Sequence, residues 1–593
     1  MKKRKFITVV SIALASVFII VACNKSFLDK PPLGTLSPEI MATEKGVQGL
    51  LIGAYSMLDG EGADGFDSQT SAASNWVFGG VASDDAYKGS DPSDFGNIAT
   101  LENWTVNATN GLTDNKWNVY YAAVQRSNEV LRVMALATDI PDEEKAQIEA
   151  QARFLRAWYH FELRKIFGKI IYATEDVNSQ NIEVSNTEEV WPKIEADLQF
   201  AADNLPDSWG SEVGRVNKWA AKATLAKAYM FQQKYSTAYP LLQDIIANGV
   251  TSGGQKYALM PHYFSNFNPA QKNNAESVLQ AQTSVQDGSS VDWGANPNGN
   301  YGDILNFPYT GGPGACCGFY NPSQDLANAY KTDPTTGLPL LDTWFEGLNV
   351  SSQFGTSYSG TLDPRIDLTM GRPGIPYLDW GLHPGLDWIR NPQNDGNKSP
   401  KKNVYAASQK QYTDVGSAYW APTELVANNV NLIRFADVIL WAAECAADAG
   451  DLAAATTYVN QVRARAADKT GWVYKNSDYD AASATYTTQT TPADNYKIGL
   501  YPTFASKDYA INAIRLERRL ELAMEGQRFF DLVRWGIAAP VLNAYIDREQ
   551  SFRPLKQGGH FVPGKNEYFP IPQNQIDNMN ADGTIRLAQN PGY

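Results

Sequence analysis

The chain has 593 residues, 43% of them hydrophobic, which is too long for one small core and too apolar for global disorder. A formal charge of −14 argues against nucleic acid or anionic lipid as the main partner. Aromatics reach 12%, with 15 Trp and 30 Tyr, more than a core needs, and such rings offer a flat apolar face with a polar edge.

Residues 1–22 read as an address. Lys2, Lys3, Arg4 and Lys5 precede an apolar stretch, and Ile20-Val21-Ala22-Cys23 has the form of a bacterial lipobox. The apolar run is short for a membrane span and ends on a cysteine, so lipidation of Cys23 is expected, with acyl chains tethering a body that stays in water outside the cytoplasm. Residues 23–42 then form a tether through Pro31 and Pro32.

Thr43 is placed to cap a first helix, in which Val47, Leu50, Leu51, Ala54, Tyr55 and Leu58 recur at helical spacing. Periodicity then disappears over residues 60–111, a Gly-, Ser- and Asp-rich stretch expected to be a long functional loop. Two long helices follow, from Trp117 to Ala137 and from Asp142 to Phe167, the second starting after Pro141 and stopping at Gly168. Residues 218–247 show a helix, a turn and a second helix, and residues 434–463 repeat the arrangement around Gly450-Asp451. Small residues near the turn and large ones along the inner faces are the signature of tetratricopeptide-type pairs, which stack into a curved scaffold.

Residues 250–425 differ in character: crowded with Gly, Pro, Asn and aromatics, they show little periodicity beyond a helix near Asp325 to Tyr330. A further irregular insert spans residues 471–502. The stretch Arg515 to Gly536 follows. Its apolar residues Leu516, Leu520 and Ala523 mark one helical face, while Glu517, Glu521 and Glu525 stack at i, i+4, i+8 and Arg515 sits one turn below Arg519. Like charges so placed oppose an isolated helix, so the stripes need partners from elsewhere, and a buried ion-pair hub is expected with Gly526 as the helix stop.

These segments carry a resemblance. The lipobox with FLDKPP, the helix ARFLRAWYHFELRKIFG, the centre NLIRFADVILWAAECAADAGDLAAATTYVNQVRARA, the charged stretch and the ending YFPIPQNQID with QNPGY resemble the SusD/RagB family of outer-membrane nutrient-binding lipoproteins. The resemblance implies an all-α (mainly helical) fold, a scaffold of tetratricopeptide-like units with a large irregular half that carries the ligand site. It divides the chain into a helical region over 43–249, an irregular ligand-binding region over 250–425 and a C-terminal helical region over 426–593. It also implies a partner, a TonB-dependent barrel transporter of the SusC type, to which glycans or in some cases peptides are handed.

Sugar binding needs flat rings for C–H faces and polar groups for hydroxyls. The expected ligand-binding residues are Trp76, Asp84 and Tyr87 from the first loop, and Trp293, Asn296, Tyr301, Tyr309 and Tyr320 from the second. Cys316 and Cys317, in GGPGACCGFY, read either as a vicinal disulfide beside the ligand or as two free thiols. Trp117, Trp158 and Trp219 lie in helical patterns and are expected in the core. Asp84-Asp85 is the most tempting carboxylate pair for catalysis, but a glycosidase needs two carboxylates a fixed distance apart across a bond. No Gly-x-Ser-x-Gly elbow or phosphate loop is found. His160, His262, His383 and His560 are too scattered for a zinc site, and no cofactor is indicated, calcium included. Peptide capture by the same scaffold, and a helical-repeat adaptor without a small ligand, stand as alternatives to glycan binding.

Overall fold

The computed structural model describes residues 37–60, 68–177, 184–290, 296–414, 424–476 and 478–593. The lipobox with Cys23 and the second-loop Trp293 lie outside these.

The helices begin and end where local chemistry dictates. Helix α1 (Glu44–Tyr55) is capped by Thr43, whose hydroxyl accepts the Gly46 N–H at 3.2 Å. Helix α2 (Gly111–Met134) is capped by Asn110; α3 (Asp142–Phe167) opens on Asp142, Glu143 and Glu144, which suit the positive end of a helix dipole, and stops at Gly168. There follow α4 (Trp191–Asn204), α5 (Lys218–Phe231), α6 (Tyr235–Asn248), α7 (Phe435–Asp448), α8 (Leu452–Ala467), α9 (Lys507–Leu522), α10 (Arg528–Arg534) and α11 (Ala538–Glu549). The sequence reading passes over α4, whose Ile194, Leu198, Ala201 and Ala202 form its buried stripe. Trp117, Trp158 and Trp219 are buried as expected.

Packing is sequential: α2 on α1, then α3 on α2, α4 on α3, α5 on α4 and α6 on α5, with α7 seated on α6 and carrying α8 and α9. This is the stacked-hairpin logic of a helical repeat. Alanines make the close approach possible: Ala221, Ala223, Ala226 and Ala228 of α5 and Ala442, Ala443, Ala446 and Ala447 of α7 are all buried, and Cys445 Sγ lies 3.5 Å from Met230 Sδ. Because α6 packs on α7, the scaffold is continuous across the long irregular region between them. That region leaves and returns through one clip, in which β1 (Ser277–Ala281) pairs antiparallel with β2 (Val430–Arg434).

The loop expected over 60–111 is corrected in its middle by burial. Residues 76–90 are almost wholly inside, and Trp76 itself is fully buried, its indole N–H donating to the Gly302 carbonyl at 2.9 Å. The helix of the charged stretch also stops earlier than Gly526, at Leu522. Met524 turns the chain through φ +62, and Gly526 (φ +65) lies so close to the Ser74 carbonyl that a Cβ would stand 1.8 Å from it. Close approach, and not helix termination, explains this glycine.

The ion-pair hub is present. Glu517 meets Arg365 (2.6 Å) and Arg463 (2.8 Å); Glu521 meets Arg365 (3.0 Å), Arg434 (2.7 Å) and Arg465; Glu525 meets Arg434 (2.9 Å) and Lys402 (2.6 Å). On the other faces Arg518 reaches Asp437 (3.2 Å) and Asp531 (3.1 Å), while Arg519 reaches Asp84 (3.1 Å), Asp85 (2.9 Å) and Asp325 (3.0 Å). Burial alone would raise the Glu521 carboxyl, but the guanidiniums of Arg465, Arg434 and Arg365 overrule it and hold it well below the usual range.

Removing one partner of a buried pair strands the other. Arg434→Met, which leaves Glu276, Glu521 and Glu525 short of their shared cation, is expected to lower the unfolding free energy by about 3–5 kcal/mol in urea titrations. Lys507→Ala removes a pair with Asp448 in which both side chains are nearly half exposed, and should shift it by only about 0–1 kcal/mol.

Buried lysines give the opposite end of the pH scale its own signature. Burial pushes Lys116 and Lys398 down to about 7 and Lys402 down to about 8. Between about pH 7 and pH 10 the unfolded chain therefore binds more protons than the folded one at these sites, so their contribution makes stability rise with pH through that window. Urea midpoints measured at pH 7 and pH 9 should increase, and Lys116→Met, which removes an ammonium lying 4.0 Å from the Tyr120 ring centroid, should flatten the rise.

Candidate functional site

Two stretches far apart in sequence are joined by a short antiparallel ladder. Ala86 bridges Pro322 and Gly89 bridges Phe319; the Tyr87 N–H donates to the Asn321 carbonyl at 2.8 Å and the Tyr320 N–H to the Lys88 carbonyl at 2.9 Å. The ladder rests on the hub, because Asp84 and Asp85 at its start are bound to Arg519. Both irregular stretches are thus brought together, but most of the rings chosen from them face inward.

Asp84 is fully buried between Arg519 and Arg528, and these guanidiniums, working against the burial that would raise it, hold its carboxyl well below the usual range. Tyr87 is 2% exposed; its hydroxyl donates to Glu549 at 2.6 Å and accepts the Gln324 N–H at 2.9 Å. Trp76 packs against Phe319 and Tyr320, and Tyr320 is buried with its backbone in the left-handed region. Tyr301 is buried, its carbonyl accepting the Ser68 hydroxyl at 3.1 Å, and Asn296 is buried at the base of a turn, its amide donating to Asp287 at 2.7 Å. These six are supports under the loops, a correction with one physical cause: each has its polar atoms or ring committed to the protein interior.

Tyr309, Cys316 and Cys317 stand differently. Tyr309 is half-buried, and the Arg390 guanidinium lies over its ring at 5.0 Å. Arg390 Nη1 donates to Ser90 Oγ at 2.8 Å and to Asp94 Oδ2 at 2.5 Å, while its Nε and Nη2 hydrogens have no partner among the described residues. Lys88 secures the loop that presents Asp94, donating to the Asp91 and Asp94 carbonyls at 2.9 and 2.7 Å.

Cys316 and Cys317 form a vicinal disulfide across a cis peptide bond, which settles the alternative left by the sequence. The turn that carries them is backed by Trp388: Gly311 and Gly312 lie flat on its indole, where a Cβ would come within 2.8 and 2.4 Å of ring atoms. Beneath, Glu424 Oε1 accepts the Ala315 and Cys316 N–H groups at 2.5 and 2.8 Å. Burial pushes this carboxyl up to about 8. Thr310 and Ala315 are exposed, and Cys316 is half-buried, so the tip is open to solvent.

Arg390, Asp94, Trp388 and Glu424 were missed by the sequence reading. A signal exists for Arg390: in DWIRNP a cation stands beside a Trp in a stretch with no helical period to explain either. Glu424 gives no such sign.

Two cavities compete with this rim. A polar cleft of about 50 Å³ among Asn306, Asn428, Asn431, Lys402 and Glu525 has room for a few waters and falls short of the roughly 300 Å³ at which small-ligand pockets begin. A groove of about 370 Å³ lies on the helical scaffold, beside Trp209, where Arg215 already donates to the side-chain carbonyls of Gln48 and Gln151.

The architecture defines a class: a helical-repeat scaffold that carries a long irregular excursion with an open rim. Residues 275–593, more than half the chain, match the model described as the SusD family, and the chain belongs to that family. A second model, described as starch-binding associating with outer membrane, matches residues 27–230. SusD-like protein P25 of Formosa agariphila is 24% identical over 559 residues, covering 89% of this chain and 90% of its own. Among solved structures, a laminarin binding SusD-like protein superposes with a TM-score of 0.65 at 24% identity, covering 93% of this chain and 100% of its own. Surface glycan-binding protein A from Bacteroides thetaiotaomicron in complex with laminarihexaose gives 0.62 at 22%, covering 92% and 99%.

Denaturing alkylation without reductant is expected to label Cys445 while leaving Cys316 and Cys317 unmodified, and prior reduction should add both, as read by peptide mass.

Proposed function

We propose that this chain is a cell-surface glycan-binding lipoprotein, anchored in the outer membrane through acyl chains on Cys23, that captures an oligo- or polysaccharide and passes it to a SusC-like TonB-dependent transporter without altering it. The observation that carries the reading is the Tyr309–Arg390 pair beside the disulfide tip. It supplies an aromatic ring for a sugar C–H face, guanidinium donors for hydroxyls, and a small rigid sulfur surface on one open rim. Because the tip is backed by Trp388 and the loops are tied to the hub, little order would have to be gained on binding.

Family membership and the glycan-binding neighbours support the ligand class. Binding without catalysis is supported by the state of the Asp84-Asp85 pair, whose carboxylates are held by arginines and serve the fold. The adaptor reading has less support, since the open, chemically distinctive surface is on the irregular half and not on the helices.

Affinity electrophoresis and calorimetry against a panel of polysaccharides and mixed peptides test the reading. Tyr309→Ala and Arg390→Ala are each expected to weaken glycan binding by about 1–3 kcal/mol with an unchanged melting temperature. Heat from peptides with silence from every glycan would transfer the site to peptide capture; unchanged glycan affinity in both variants would place binding elsewhere.

A further inference from the structure

Among the described residues the aromatic side chains left most open are Phe345, Phe354 and Tyr509, at 40%, 56% and 39% exposure. Phe345 and Phe354 lie nine residues apart in one connection. Phe345 stands edge-on to Trp344 with centroids 5.4 Å apart, and Phe354 edge-on to Phe552 at 6.2 Å. Arg548 lies over Trp344 and Phe345 at 5.3 and 5.2 Å; Arg553 lies over Phe552 and Phe354 at 5.2 and 5.8 Å. Arg548 stands in the last turn of α11 and Arg553 four residues beyond that helix, so the ring pairs are carried by one short stretch of chain. Leu348, half exposed, belongs to the same connection. Isolated apolar residues on a surface need no explanation, but a group of aromatics arranged on fixed cations does.

The platform is held firmly. Arg548 is bound to Asp325, which also holds Arg519 of the hub. The connection bearing Phe345 is pinned by Lys331, which donates to the Glu346 carbonyl at 2.9 Å, and by Asn328, whose amide and carbonyl meet Asn349 and the Val350 N–H at 2.7 and 2.9 Å. It also adjoins the rim already described. Arg553 donates to Gln353 at 2.8 Å and to the Gln393 carbonyl at 3.1 Å, and Gln353 donates to the Pro392 carbonyl at 2.8 Å. The turn that carries Arg390 into the first site therefore supports Phe354 as well.

We propose that Phe345, Phe354 and Phe552, carried by Arg548 and Arg553, form a second aromatic platform that receives a further stretch of the same glycan. The preferred ligand is then a polysaccharide long enough to occupy both stations, not a short oligosaccharide. The inference rests on the glycan reading of the first rim, and linking two stations on one chain raises affinity through effective concentration.

The test uses the full chain with laminarin, xyloglucan, galactomannan, pullulan and arabinan, each beside its tetrasaccharide. For the glycan that binds, Phe345→Ala/Phe354→Ala is expected to weaken polysaccharide affinity about tenfold while leaving the tetrasaccharide unchanged, and Phe354→Trp should retain polysaccharide affinity. Tyr309→Ala should weaken both ligands. Undiminished polysaccharide affinity in the double variant overturns the second platform and leaves the first reading standing. Intact glycan binding with lost copurification of a barrel transporter would overturn it in favour of a protein contact. Silence of the wild-type chain towards the whole panel removes the glycan reading, and this inference with it.

Discussion

Glu517 and Glu521 on α9 and Glu525 just beyond its end carry like charge close together, and the fold exists in this form because buried arginines converge on them from three separate segments. Arg365 comes from the irregular excursion, Arg434 from the end of β2, and Arg463 and Arg465 from α8, with Lys402 completing the set. Such a cluster is weak evidence for stability, since desolvation offsets much of the attraction, but it is demanding about geometry. An excursion displaced by a few ångströms would leave charge uncompensated in the interior. The hub thus fixes where an otherwise irregular stretch must lie.

The open rim inherits its position from that constraint. Asp84, Asp85 and Asp325 hold the arginine face of α9, the ladder of residues 86–90 with 318–322 starts from those carboxylates, and Tyr309, Arg390 and the disulfide tip are carried at its outer edge. Irregular backbone would ordinarily be a poor support for recognition because ordering it consumes binding energy. Here the irregularity is confined to shape, since the residues that define it are tied to a buried network.

Legibility in the sequence followed how local the cause was. Helix α3 could be bounded because Pro141 and Gly168 punctuate it, and the need of α9 for distant partners could be read because like charges at i, i+4 have a known sign. Burial of the first loop could not. Gly-, Ser- and Asp-rich sequence reads as surface when neighbours are the only guide, whereas Asp84 is made internal by Arg528, which stands 444 positions away. The same limit explains the inward-facing rings: a Trp in an irregular stretch looks identical whether it plugs a core, as Trp76 does, or lies open. Tyr309 and the paired cysteines were recognisable as candidates, but their partners Arg390 and Glu424 become visible only when the excursion is folded back.

Continuity of the scaffold between α6 and α7 has a consequence for how the molecule can come into being. The family models meet the chain in two blocks, residues 27–230 and 275–593, yet α6 between them seats itself on α7, and two of the three carboxylates that neutralise Arg519, Asp84 and Asp85, come from the first block. Neither block carries a complete interior. A ribosome releasing the N-terminal helices would therefore expose a surface awaiting its complement until α7 and α9 have emerged, so the interior is completed only late in synthesis, although α1 to α6 can pack on one another before then.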